Sequence, residues 1–559
     1  MTATSHTTQR AAGTPEDPAL DRFFAHYYRR RAVNATLTGV HDFDDALPDW
    51  SVAGLDALDR EMQDIERDLA GIRSMDADLA RSFLMIQRAE NASGHGVRAN
   101  PALWTGEAIF SVVSLMIRNF APLERRMASA VSRMLAIPGF LAEMERTIGD
   151  RAIPSPWTAR ALKECEGARI LFSTGIDAWI SQSASPPPGL ADAARTAAGA
   201  FARCGEWLSS RVAAPVEAMA CGTEMYDLLL ARGHYCERTR GDLLAAARAQ
   251  LPVERARLET MGRDVAGSWA EGREALTRIH PTPGEYLPAF ERIWNESRAR
   301  ASAHDLVTWP DWPIRYTTFP PQTRDAAPHL YYLFYRSPAP FDPHDVYDYV
   351  VPPVPSGDAE AEQHLRAWNT SVIKLNHVVH HGGVGHHVQN WHAYHRGTSR
   401  VGRIAAVDCA SRIGMFCGGT MAEGWACYAT ALMDETGFLT PLEQLSEQHS
   451  KLRFLTRAIV DIELHQQTMS FDDATRFFVE HADMTPAVAI AEAAKASMFP
   501  GTAVMYWLGT QGILDLRQTM RERHGAAFSL RAFHDELLSY GSIPVPLIAR
   551  MMTGESRDA

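Results

Sequence analysis

Apolar residues recur at three- and four-residue intervals through segment after segment of this chain, and alternating runs rich in Val, Ile and Thr are scarce. A chain so patterned has little from which to build a large sheet. It must bury helical stripes against other helices. The windows 55–72, 76–90, 121–148, 159–181, 190–208 and 240–269 carry the pattern most clearly, and it resumes after Glu360 and runs to about Met552. The expected fold is therefore mainly α: one large all-helical body.

The 559 residues are 46 % hydrophobic and 22 % charged, enough to fill a core and far from a disordered composition. The formal net charge of -12 lacks the basic balance of a phosphate-backbone binder, so no nucleic-acid partner is expected. No apolar run is long enough to span a bilayer, so no membrane partner is expected either. Residues 1–18 read as a flexible arm. The seven cysteines are odd in number, widely spaced and without a CxxC pair, which argues against a disulfide framework and for a cytoplasmic home. Cys417 and Cys427 read as small core residues. Helices are expected over 19–300 as one wall of a central cleft and over 359–559 as the other. Between them, 301–358 is dense in Pro, Trp, Tyr and Phe and reads as irregular loops with a short hairpin.

Seven of the 22 histidines fall between His377 and His395, in the text LNHVVHHGGVGHHVQNWHAYHR. Imidazole is the commonest transition-metal ligand, so this cluster points to a metal site. The HExxH pattern of a regular zincin, with two histidines one turn apart and a glutamate that activates water, is absent. On an unbroken helix His380 and His386 would lie about 600° apart in rotation and so on different faces. His380 and His387 would share a face but stand about 10.5 Å apart along the axis, too far for one ion. The spacer Gly382-Gly383-Val384-Gly385, however, favours a bulge or kink that folds out the extra residues and brings His380 and His386 together. His377 and His381, at ordinary i, i+4 spacing, form a rival pair, and His387 is a further candidate ligand. A third ligand should come from another helix. Glu423 is the best placed, near the start of a helix that opens with Gly418-Gly419-Thr420.

These segments resemble a bacterial family labelled DUF885, placed near the thimet-oligopeptidase and angiotensin-converting-enzyme type of all-helical metallopeptidases. Its motif HEAYPGHHLQ appears here as the run from His380 to Gln389, and its EGWAxY motif as Glu423 to Tyr428. Further likeness lies in 35–51 near the start and, near the end, in 461–465, in Phe499-Pro500-Gly501 with Tyr506 and Gly509, and in 533–544. The resemblance implies that His380, His386 and Glu423 hold one divalent transition metal, Zn first, and a His-rich set with one carboxylate also suits Fe or Mn. It also implies that Tyr506 and His465 face the reacting carbonyl or the end of the substrate.

The chain departs from that pattern where it matters most. His381 stands where the family has the glutamate that takes a proton from the water and returns it to the leaving amine. A neutral imidazole can act as a base near pH 7, or it can become one more ligand. Val384, Thr502, Lys495 and Ala496 also replace family residues. The expected function is a metal-dependent hydrolase acting, through metal-activated water, on an amide or peptide-like small molecule, with Tyr506 stabilising the oxyanion. Two alternatives stand beside it: a non-hydrolytic metalloenzyme, such as a lyase or an iron-dependent oxygen-using enzyme, and a catalytically silent ligand-binding homologue.

Overall fold

The computed structural model describes residues 17–330, 338–343, 346–406 and 412–554. Most of the expected arm, residues 1–16, lies outside the described residues, as do Cys409 and the aromatic residues Tyr331, Tyr332, Phe334 and Tyr335. The chain folds mainly as α-helices in two compact units. One comprises residues 1–221 and 319–344, the other residues 222–318 and 345–559.

The first unit is a pile of helices that includes α1 (Pro18–Arg30), α2 (Pro101–Met116), α3 (Leu123–Ile148), α4 (Ser155–Ile170) and α5 (Leu190–Ser209). Asp17 caps α1 by accepting from the backbone of Ala19 and Leu20. Helix α3 packs on α2 and α5, and α4 packs on α2 and α5. Trp104, Trp157 and Trp179 are fully buried there. The buried Arg133 guanidinium is spent on the chain itself: it donates to the carbonyls of Ala46, Phe43 and Ser111 and to the Thr36 hydroxyl.

The second unit contains α6 (Arg240–Ala266), α7 (Tyr286–Ala303), a π-helical segment (Ile373–Gly382), α8 (His386–His395), α9 (Gly419–Glu435), α10 (Pro441–His465), α11 (Pro486–Met498) and α12 (Met505–His524). Thr239 and Thr440 open α6 and α10 with reciprocal capping boxes. Helix α6 packs along α10, and α9 packs along α12. The α9–α12 crossing is close because both helices present glycine: a Cβ on Gly424 would lie 2.5 Å from the Gly509 carbonyl carbon, and one on Gly509 would lie 2.0 Å from the Thr420 oxygen.

Among the described residues strands are few. β1 (Ile153–Pro154) pairs with β2 (Ala213–Ala214), and β3 (Ile314–Thr318) pairs with β4 (Tyr347–Val351), both in parallel. The expected hairpin in the proline-rich segment is thus corrected. β3 and β4 run in the same direction, and a parallel pair needs a long crossover, supplied by the residues between them.

Candidate metal centre

The glycine spacer does what its composition suggested, by a π-helix. The widened helix Ile373–Gly382 ends at the spacer, and α8 begins at His386. The Gly385 amide donates back to the Val379 carbonyl at 2.9 Å. A Cβ on Gly385 would fall 1.9 Å from the His380 oxygen, so no other residue fits there. Two tryptophans pin the spacer. Trp294 Nε1 donates to the Gly382 carbonyl at 2.7 Å, and Trp425 Nε1 donates to the Val384 and Gly385 carbonyls at 2.9 and 3.2 Å. Lys374, earlier in the π-helix, is fixed to α10 by a 2.8 Å contact with the capping residue Glu443.

This backbone brings imidazoles and a carboxylate together. His380 Nε2 lies 3.3 Å from Glu423 Oε2, and His386 Nε2 lies 3.8 Å from the same oxygen. The rings of His380 and His386 are 5.0 Å apart and nearly perpendicular. Ligands bound at about 2 Å around a tetrahedral ion stand about 3.3 Å from one another, so these separations suit a shared cation. His381 joins them: ligand atoms of His380, His381 and His386 lie within 4.8 Å of one another, as do those of His380, Glu423 and Cys427.

The surrounding groups orient the donors. His386 Nδ1 donates to the Gln389 side-chain oxygen at 3.1 Å, and Gln389 Nε2 donates to Ser542 at 2.7 Å. This leaves the His386 Nε2 lone pair facing Glu423. His381 Nδ1 donates to the Asn376 carbonyl at 2.5 Å, which likewise leaves its Nε2 as the acceptor. Burial, reinforced by His380, His386 and His377, pushes the His381 pKa well below the ordinary imidazole value, so its ring is neutral. Burial alone would raise the Glu423 pKa, but the neighbouring His380, His386 and His381 hold it far below the usual carboxylate range. Glu423 Oε2 is nevertheless buried with no hydrogen-bond donor among the described residues. A buried carboxylate oxygen faced by imidazole nitrogens is a donor set that fits a divalent transition metal.

The remaining predicted residues also have partners outside the cluster. His377 Nδ1 meets the Tyr349 hydroxyl at 2.7 Å, and its ring stacks on Trp368. His387 Nε2 donates to the Trp312 carbonyl at 2.9 Å. Burial lowers these two pKa values to about 3 and about 4. His465 is wholly buried, donates to the Ala496 carbonyl at 3.0 Å and stacks on Tyr226. Neither Ala496 nor Tyr226 belongs to the histidine cluster. The Tyr506 ring stacks on Phe454 beneath the Arg457 guanidinium. Its helix meets α9 through Thr510, whose hydroxyl lies 3.4 Å from the Gly424 carbonyl.

The sequence reading missed Cys427 as a donor near Glu423. The only signal was its i, i+4 spacing from that residue, which core cysteines share. Burial and the Glu423 charge push its thiol pKa well up. The reading also missed Gln389, Asn376 and Trp425, whose work is to orient donors and hold the spacer.

The profile described as "Bacterial protein of unknown function (DUF885)" matches residues 33–552. A solved structure from Shewanella oneidensis, described as a putative lipoprotein of unknown function, is 20 % identical with a TM-score of 0.73, covering 96 % of this chain and 99 % of its own. A second, described as the putative lipoprotein from Colwellia psychrerythraea, is 17 % identical with a TM-score of 0.76, covering 96 % of this chain and 98 % of its own. No curated protein matches. These relatives correct the expected cytoplasmic location, because lipoproteins are carried on a membrane. Cys165, Cys204, Cys236 and Cys427 are free thiols, which says nothing of compartment. Among the described residues no helix is long and apolar enough to cross a membrane.

Proposed function

The chain belongs to the DUF885 family, and from that premise we propose that it is a metal-dependent hydrolase of zincin-like ancestry acting on an amide or peptide-like small molecule. The observation that carries this reading is the buried Glu423 Oε2, without a donor and approached by His380 Nε2 and His386 Nε2. A divalent cation held by His380, His386 and Glu423 would supply Lewis acidity toward a carbonyl and lower the pKa of water. The protein's own part is to orient the imidazoles of His386 and His381, through Gln389 and Asn376, and to hold the Glu423 carboxylate in a buried site facing them.

His381 also favours a second reading. It brings a third imidazole where a proton-carrying carboxylate would serve hydrolysis. A set of three histidines and one carboxylate suits Fe or Mn chemistry of a non-hydrolytic kind as well as Zn. Both readings are tested together. The protein is expressed with added Zn, Fe or Mn, its metal content is measured, and it is assayed against peptide and acyl-amide libraries beside His381→Glu. Amide cleavage that is lost in His380→Ala supports the hydrolase. A metal-loaded protein that cleaves nothing, but performs an iron-dependent conversion, replaces it with the second reading. From the description of the solved relatives we infer a membrane-anchored or secreted setting, which cell fractionation tests.

A further inference from the structure

In the second unit one carboxylate, Glu492, is faced by more than one cation. Arg453 and Arg457 stand one turn apart on α10. Arg457 is matched: its Nε and Nη2 donate to the two Glu492 oxygens at 2.8 and 2.9 Å, and its guanidinium lies 5.0 Å from the centre of the Tyr506 ring. The Arg453 side chain has no hydrogen bond or ion pair among the described residues, although it is only partly exposed. Lys495 on α11 is in the same position: partly exposed, near Glu492, and without a hydrogen-bond or ion-pair partner among the described residues. Three cations therefore share one carboxylate.

A half-buried guanidinium loses hydration, and a carboxylate shared with two other cations offsets that loss only in part, an arrangement that an anion would complete. The location fits a substrate. Arg457 lies over the Tyr506 ring, and one turn further along α12 the Thr510 hydroxyl lies 3.4 Å from the carbonyl of Gly424, the residue after Glu423. Phe454, the residue after Arg453, stacks on Tyr506 at 5.8 Å.

We propose that Arg453, assisted by Lys495, binds a carboxylate of the substrate, so that the substrate class is an N-acylated amino acid or short peptide presenting its free carboxylate to Arg453. The planar guanidinium fork matches a carboxylate in bidentate fashion, as Arg457 does with Glu492 next to it. Glu492 would oppose a phosphate dianion more strongly than a singly charged carboxylate. That the substrate's amide is cleaved rests on the hydrolase reading above. The carboxylate subsite does not.

The test is calorimetric titration of the full chain with hippurate and a panel of other N-acylated amino acids, each against its own carboxamide, before and after chelation with EDTA. The acids are expected to bind at least about 10-fold more tightly than the amides, before and after chelation. Arg453→Ala should abolish the preference, Arg453→Lys should keep part of it, and Lys495→Ala should weaken it a few-fold. Circular dichroism checks folding, and Arg453→Gln replaces the alanine variant if that one does not fold. Equal binding of acids and amides overturns the proposal, as does no binding across the panel. So does a preference that vanishes on chelation, which would put the carboxylate on the metal, or inorganic phosphate binding as tightly as the acids. An intact acid preference without amide cleavage would instead overturn the hydrolase reading alone.

Discussion

His380 Nε2 stands 3.3 Å from Glu423 Oε2, and that contact ties the glycine-broken π-helix to α9. With the His386 contact to the same oxygen, it predicts that both segments share one cation. Glu423→Gln keeps the shape but removes the charge. It is expected to lower metal affinity at least about 10-fold, read by metal analysis after dialysis. Chelation should lower the melting temperature of the wild type, and metal at 100 times its Kd should restore about 2.7 kcal/mol. A melting curve that ignores both chelator and metal would sink the shared-cation geometry.

Gln389 touches no proposed substrate, yet it sets the His386 tautomer. Gln389→Ala should cost about 10- to 100-fold in metal affinity, with little change in melting temperature of the metal-free protein. His381→Ala should also weaken binding, because the Asn376 carbonyl already takes its Nδ1 proton and leaves Nε2 to the cluster. Unchanged metal affinity in His381→Ala would remove that residue from the ligand set.

The helices were legible because their apolar spacing is a backbone property, and the kink because three glycines in four positions have few other uses. The side chains that left the cluster were harder to foresee. His377 and His387 sit among the same histidines, but the π-helix turns His377 toward Tyr349, and the start of α8 turns His387 toward the Trp312 carbonyl. Those partners are 28 and 75 residues away, beyond any local pattern. Trp425 reaches the site by donating to the Val384 carbonyl, 41 residues away, and Cys427 shares with Glu423 an i, i+4 spacing that core cysteines also show.

The spacer itself gives a sharper test. Gly385→Ala places a methyl group 1.9 Å from the His380 oxygen, which is backbone and cannot swing aside. The variant should lose about 3 kcal/mol or more of stability and should lose metal binding with it. Val384→Ala is the control: Val384 meets the Trp425 indole through its backbone carbonyl, which alanine keeps, so this variant should keep the metal while losing about 1–2 kcal/mol for the methyl groups removed from a buried site. Metal retained by Gly385→Ala would mean that the close turn does not hold His380 and His386 together.

The first unit carries its own titrating latch. His41 Nδ1 lies 2.9 Å from Asp44 and Nε2 lies 2.7 Å from Asp342, and the ring stacks on Phe120. Gly39 must be glycine for this approach, since at φ +89 a Cβ would lie 2.8 Å from Asp342 Oδ1. Burial alone would lower the His41 pKa, but the two carboxylates more than offset it and raise the value to about 9. The folded pKa lies above the unfolded one, near 6.5, so the latch is fully stabilising below about pH 6.5 and is lost as pH rises through about 9. A shift of this size corresponds to about 3 kcal/mol at most, and to about 2 kcal/mol once the ring's partial exposure is discounted. Denaturant unfolding of the wild type should therefore show stability falling between about pH 6.5 and 9.5, and His41→Gln should flatten that slope and match the high-pH wild type. Asp342→Asn leaves one carboxylate and should move the midpoint of the loss to lower pH. A slope unchanged in His41→Gln would assign the alkaline loss to another group.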